Sequence, residues 1–213
     1  ARAYGGQVAG FGELRLVDPL EVGLSISVSD MRLEQMFAGM SGGKVDPDQK
    51  VKGILTGNLQ FTSIEGPKPR RQASGVLKIT QGEMVKLPVM LGLLNVIYMN
   101  LPGDTAFTDG EATYHMRGDD LIFDEIYFRG PGLSIVGSGR MDMKTEALSL
   151  RFLSGPPQKL PRIAGLSELL EGIAREVMEI HVDGTLSKPR MRTMPLRSFD
   201  KLLREMSNPA QQK

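Results

Sequence analysis

The strongest constraint on the fold is an alternation of apolar and polar side chains with a period of two residues. It is clearest from Leu20 to Val28, where every second residue is aliphatic and the residues between them are Glu, Gly or Ser. Because successive side chains of a strand point to opposite faces of the sheet, the pattern predicts a strand with one buried and one wet face. The same alternation recurs at 51–61, 111–117, 133–143, 148–152 and 178–182.

Short turns separate several of these alternating stretches. Gly118-Asp119-Asp120 and Lys144-Thr145-Glu146 each lie between strands that are only a few residues apart, as in hairpins. Strands with one apolar and one polar face are typical of antiparallel sheets. We therefore predict a mainly β fold of about nine strands, with a few short helices.

Four segments have a helical pattern instead. Apolar residues at helical spacing in 31–40, 166–173 and 199–206 predict amphipathic helices that pack on the sheet or cap it. The segment 88–99 is apolar nearly all round and, at about twelve residues, is too short to cross a bilayer. We interpret it as a buried core helix, with an apolar plug or a lipid-contacting surface as the alternative.

Composition excludes several classes of function. The 26 basic and 25 acidic residues leave a net charge of +1, which gives no electrostatic basis for binding nucleic acid. The absence of cysteine excludes disulfides, thiolate metal sites and a cysteine nucleophile. The two histidines, His115 and His181, are predicted on the polar faces of strands as solvated side chains. We therefore predict neither a metal site nor a cofactor.

No catalytic motif is complete. Ser41-Gly42-Gly43-Lys44 is similar to the end of a phosphate loop, but Ala38 stands where a glycine is required and Val45 replaces the Ser or Thr. One acidic cluster falls in a turn and the strand that follows it, where solvent-facing acids usually lie. We predict that the protein is not an enzyme. The members of the cluster are Asp119, Asp120, Asp124 and Glu125.

A series of segments in a fixed order carries a family resemblance. It begins with a helical stretch at 31–37 and a strand at 51–59, and continues through 73–84 and Leu87-Pro88 to the apolar segment that ends at Val96. It closes with Val-Asp-Gly-Thr-Leu-Ser-Lys-Pro at 182–189. In between come Phe107, Asp109-Gly110, 120–124 and 132–142. This order resembles the C-terminal region of the AsmA family over roughly residues 20–195.

The resemblance implies both a fold and a function. In AsmA-like proteins an elongated antiparallel sheet curls into a trough, a β-taco-like groove, with an apolar interior along which phospholipid acyl chains slide. The implied partners are phospholipid or another acyl lipid, the inner and outer membranes, and envelope proteins. The implied location is the periplasm. Because the chain opens at Ala1 without a signal peptide, we expect a longer protein that is anchored in the inner membrane by a segment missing from this chain.

The alternation independently favours one apolar sheet face that could hold acyl chains, since each buried CH₂ contributes about 0.8 kcal/mol. We predict a β domain at 1–195 and a C-terminal amphipathic helix with a tail at 196–213. Three alternatives stay open: a closed core beneath the helices, an assembly factor that binds outer-membrane proteins, and a structural cap on a longer lipid-conducting trough. The predicted lipid-facing residues are Leu24, Ile26, Leu55, Leu59, Phe61, Leu77, Ile79, Leu133, Ile135, Leu148 and Leu150.

Overall fold

The structure is a computed structural model that describes residues 1–40, 51–67, 69–84, 107–156 and 177–194, together with residues 160 and 162. Within these residues one open, curled antiparallel sheet of eleven strands runs in chain order, so each strand pairs with its sequence neighbours. The predicted mainly β, antiparallel fold is confirmed. The strands are β1 (Arg2–Ala3), β2 (Gly6–Arg15), β3 (Glu21–Arg32), β4 (Val51–Ile64), β5 (Arg70–Met84), β6 (Asp109–Arg117), β7 (Asp120–Arg129), β8 (Ser134–Asp142), β9 (Ala147–Gly155), β10 (Met178–Thr185) and β11 (Pro189–Met194).

One helix, α1 (Leu33–Met40), lies between β3 and β4. The predicted helix at 31–40 therefore begins two residues later than expected. Met31 continues β3 beyond a bulge, pairs with Leu55 of β4 and is buried. The predicted helices at 88–99, 166–173 and 199–206, and the segment 196–213, lie outside the described residues. No described helix is long and apolar enough to cross a bilayer.

The strand registers assign every strand residue to one of two faces, because residues directly opposite each other share a face. We call the face that carries Leu24 and Ile26 the apolar face, and the other the polar face. A row across the apolar face runs from β2 to β11 through Gly10, Ile26, Leu59, Gly75, Tyr114, Phe123, Gly139, Leu150, Val182 and Met191.

Glycines on the apolar face make room for large side chains of the neighbouring strand. A Cβ added to Gly137 would lie 2.2 Å from Cδ1 of Phe152, and one added to Gly75 would lie 2.6 Å from the hydroxyl oxygen of Tyr114. Such distances are far below van der Waals contact. The two rings therefore lie directly over the backbone of these glycines. This packing accounts for part of the high glycine content.

The buried core is concentrated on the apolar face of the later strands. Nine buried residues form one hydrophobic cluster, and seven of them lie in β7 to β10, with Phe107 and Leu133 next to strand ends. Phe107 and Phe128 pack with tilted rings whose centroids are 5.6 Å apart. The core thus sits under one half of the sheet rather than along all of it.

Candidate functional site

The apolar face divides into two regions that differ in how far the side chains are covered. We call strands β2–β5 the open half and strands β6–β10 the closed half. Ten of the eleven predicted lipid-facing residues lie on the apolar face of a strand, and the eleventh, Leu133, lies immediately before β8. The structure therefore brings the predicted set onto one face, but it places the members in two different environments.

In the closed half, four predicted residues are inaccessible. Ile135 has no exposed surface, and Leu133, Leu148 and Leu150 are each between 5% and 7% exposed. All four belong to the buried cluster with Phe152. Their side chains form part of a closed core in this structure.

In the open half, the seven other predicted residues keep part of their surface accessible. Leu24 is 37% exposed and Leu77 is 40% exposed, although both lie on the apolar face in the middle of paired strands. The other five are half-buried: Ile26, Leu55, Leu59, Phe61 and Ile79. The open half is therefore an accessible aliphatic surface built on a rigid sheet.

Two features bound this surface. At one end of the strands, Met31 and Leu33 are 6% and 3% exposed, and Leu33 approaches Gly53 at the base of α1. Toward the closed half, the Tyr114 ring lies over Gly75 and its hydroxyl donates a hydrogen bond to the Asn58 carbonyl at 3.3 Å. Burial raises the pKa of the Tyr114 phenol, so the ring stays neutral at this boundary.

Toward β2, two of the apolar rows end on glycine. Gly10 pairs with Ile26 and Gly12 pairs with Leu24. A Cβ added to Gly12 would have its nearest described neighbour at 3.9 Å, which is ordinary contact distance. Gly12 of β2 thus lies under open space, whereas Gly137 of β8 lies under the packed ring of Phe152.

On the polar face, the histidines differ from the prediction of solvated side chains. His115 Nδ1 lies 2.9 Å from Asp124 Oδ2, and His181 Nε2 lies 2.5 Å from Glu179 Oε1, with both imidazoles largely covered. A bulge between β6 and β7 brings Asp124 beside His115. Within the described ranges, however, no three His, Cys, Asp or Glu side chains are grouped to hold a metal ion.

The predicted acidic cluster does not form a paired acid–base site, because each carboxylate has a basic partner. Lys144 lies 2.6 Å from Asp119, and Arg140 lies 3.9 Å from Asp120. Asp124 contacts His115, and Glu125 contacts Arg162. The four acids therefore act as ion-pair partners along the polar face.

Arg162 is a structural residue that the sequence pattern does not reveal. Its Nε donates to Glu125 at 2.6 Å, its Nη2 donates to Glu111 at 3.0 Å, and its guanidinium lies 5.0 Å from the centre of the Tyr127 ring. The hydrogen bond from Arg162 lowers the pKa of Glu111. Arg162 thus fixes the connection after β9 against the polar face.

Near Arg162 the polar face itself is apolar and buried. Val136 of β8 and Leu153 of β9 have no exposed surface, and Leu160 of the connection is 2% exposed. The closed half is consequently buried on both faces of β8 and β9. The sequence does carry a signal for burial on both faces. Two pairs of consecutive apolar residues, Ile135-Val136 and Phe152-Leu153, interrupt the alternation.

Comparison with known proteins adds no relative: no protein-family model, curated protein or solved structure matches this chain. The AsmA-like resemblance therefore rests on the order of sequence segments alone and stays a prediction.

Proposed function

We propose that the protein is a non-catalytic lipid-transport module that holds phospholipid acyl chains on the apolar face of its open half. The proposed setting is the periplasm, within a longer protein anchored in the inner membrane, where it serves phospholipid transport between inner and outer membranes and outer-membrane biogenesis. The observation that carries the proposal is the accessibility of Leu24 and Leu77, 37% and 40% exposed, within continuous apolar rows.

The dimensions of the open half suit a hydrocarbon ligand. Neighbouring strands are about 4.8 Å apart, so β2 to β5 span about 14 Å, and the seven residues from Val22 to Val28 extend about 20 Å along β3. The surface presents aliphatic side chains and glycine backbone. Such a surface gains free energy from covering CH₂ groups, about 0.8 kcal/mol each, and offers little to a polar ligand.

The test is native mass spectrometry of the protein after gentle purification from bacteria, with two matched variants. Leu59→Asp places a carboxylate on the apolar face of the open half, and Asn58→Asp places the same carboxylate on the polar face one residue earlier. We expect co-purified phospholipid on the wild type and on Asn58→Asp, and its loss from Leu59→Asp, because an unpaired charge in an acyl-binding surface costs several kcal/mol.

Circular dichroism of both variants provides the control for folding, since Leu59 is only half-buried. A folded wild type without lipid, or equal lipid content in Leu59→Asp and Asn58→Asp, would contradict the proposal. The closed-core reading would then extend to the whole apolar face.

A second candidate function, binding of outer-membrane protein strands in an assembly role, is favoured by the edge of β2. β1 pairs with β2 only at Gly6 and Gln7, so no described strand covers the outer edge from Ala9 to Arg15. The Val8 N–H donates outward to the Ala1 carbonyl at 2.8 Å, so Gly12, four residues on, also directs its N–H outward. Open edges of this kind accept an added strand.

The substitution Gly12→Pro removes an outward N–H and keeps the ladder to β3, since proline is tolerated on an edge. If the edge binds client strands, Gly12→Pro loses affinity for a labelled peptide from an outer-membrane β-strand while Gly12→Ala retains it. Equal affinity of the two variants, measured by fluorescence anisotropy, would exclude binding at this edge.

A further inference from the structure

The polar face of the open half carries a groove at the end of the sheet where β4 and β5 are joined. Two adjoining cavities of about 390 and 380 Å³ form it, and both are lined by Thr62 and Gln72. Thr62 pairs with Gln72, which pairs with Arg117 of β6, so the three side chains stand side by side. Arg70, two residues before Gln72 on the same face, lines the first cavity, and Arg117 lines the second.

Each carboxylate in and beside this groove has a basic neighbour, but Glu13 and Glu21 share one, Arg15, so these three residues keep a net charge of −1. Arg15 lies 2.7 Å from Glu13 and 3.2 Å from Glu21, so its charge is shared between two acids at the rim. Two further pairs lie beside the groove on the polar face: Arg140 with Asp120, and His115 with Asp124.

The donors that remain uncommitted converge on the groove. Among the residues that the structure describes, neither Arg70 nor Arg117 has an ion-pair or hydrogen-bond partner, and the side chains of Thr62 and Gln72 have none either. Two guanidiniums, an amide and a hydroxyl thus face one concave surface of the size that binds small ligands. Three arginines, Arg15, Arg70 and Arg117, stand against two glutamates among the lining residues, so the Arg and Glu side chains of the groove leave a net charge of +1.

We infer that this groove binds a phosphate-type oxyanion, held between Arg70 and Arg117 with Gln72 and Thr62 as neutral donors. A guanidinium presents planar N–H groups that match two oxygens of a phosphate, and such charge-assisted hydrogen bonds are about twice as strong as neutral ones. The phosphate belongs either to a lipid headgroup at a membrane surface or to a soluble phosphate ester. The groove lies on the opposite face from the acyl-chain surface and is independent of it.

Titration calorimetry with glycerol 3-phosphate and inorganic phosphate, and flotation with phosphatidylglycerol and phosphatidylcholine vesicles, test both sources. We expect saturable binding of at least one anionic probe, weakened about tenfold or more by Arg70→Gln and by Arg117→Gln. Arg129→Gln serves as the control, because it removes one exposed arginine from the opposite end of the polar face.

The arms of the experiment identify the source of the phosphate. Binding to phosphatidylglycerol vesicles alone assigns the groove to a headgroup, and binding to the soluble esters assigns it to a free phosphate. The inference is overturned if no anionic probe binds, or if Arg129→Gln weakens binding as much as Arg70→Gln does.

Discussion

The open and closed halves share one sheet, one face and one sequence pattern, yet their apolar side chains differ sharply in burial. Leu77 of β5 is 40% exposed, whereas Ile135 of β8 has no exposed surface. Both residues lie on the same face of the sheet, and each has an apolar neighbour in sequence, Val76 and Val136. Alternation therefore reports which face a side chain occupies, and it does not report whether that face is covered.

The open half has an accessible apolar face. The closed half is packed on both faces of the sheet. Its apolar face packs as one cluster around Phe152. Its polar face is closed over Val136 and Leu153, near the ion pairs of Arg162. A region buried on both faces resists local opening, while a half-exposed sheet face is free to bind. We therefore confine the proposed acyl-binding surface to the open half.

The largest expected difference is between two phenylalanines on the apolar face. Phe152→Ala removes a ring that is 1% exposed and is expected to lower the free energy of unfolding by about 3–5 kcal/mol. Phe61→Ala removes a half-buried ring of the open half and is expected to cost about half as much or less. Urea denaturation followed by circular dichroism measures both, and equal losses would mean that the two halves are equally packed.

Adding one methyl group at a glycine in each half compares how closely the two halves are packed. Gly137→Ala would place a Cβ 2.2 Å from the Phe152 ring and is expected to destabilise the protein by about 1–3 kcal/mol. Gly12→Ala meets nothing closer than 3.9 Å and is expected to be neutral or to stabilise by up to about 1 kcal/mol through the unfolded chain. A destabilising Gly12→Ala would show that β2 is covered after all.

The smallest expected effect on stability concerns the ion pairs of Arg162 with Glu111 and Glu125, and it depends on pH. Arg162→Met is expected to cost about 1 kcal/mol at pH 7, because the ion pairs are partly exposed. The pKa of Glu111 is lowered in the folded state, so its contribution is present above its ordinary value of 4.5 and is lost as pH falls through the lowered value. The difference in thermal midpoint between wild type and variant should therefore shrink below pH 4.5. A difference that does not change with pH would contradict a stabilising ion pair between Arg162 and Glu111.

The sequence predicted the sheet well because strand faces follow from local alternation. All six alternating stretches form strands, and the predicted turns at Gly118 and Lys144 fall between paired strands. The start of α1 was missed because Met31 gains a strand partner, Leu55, that lies far along the chain. The boundary between a strand and a helix depends here on strand register and bulges, which the local sequence pattern does not encode.

The parts of the site that escaped prediction all depend on long-range contacts. Arg162 reaches Glu125 and Glu111 across 37 and 51 residues of sequence. The pairing of His115 with Asp124 requires a bulge between β6 and β7. Which half of the apolar face is covered likewise depends on tertiary packing, so the predicted lipid-facing set mixed core residues with accessible ones.

The most direct test of the central claim is photo-crosslinking of the wild-type protein with a phospholipid that carries a diazirine on its acyl chain, followed by peptide mapping. Acyl chains held on the open half would place adducts on apolar-face residues of β3–β5, including Leu24, Leu59 and Leu77, and leave Ile135 and Leu150 unmodified. Adducts in β8 and β9, or a spread over both faces of the sheet, would contradict an acyl-binding surface confined to the open half.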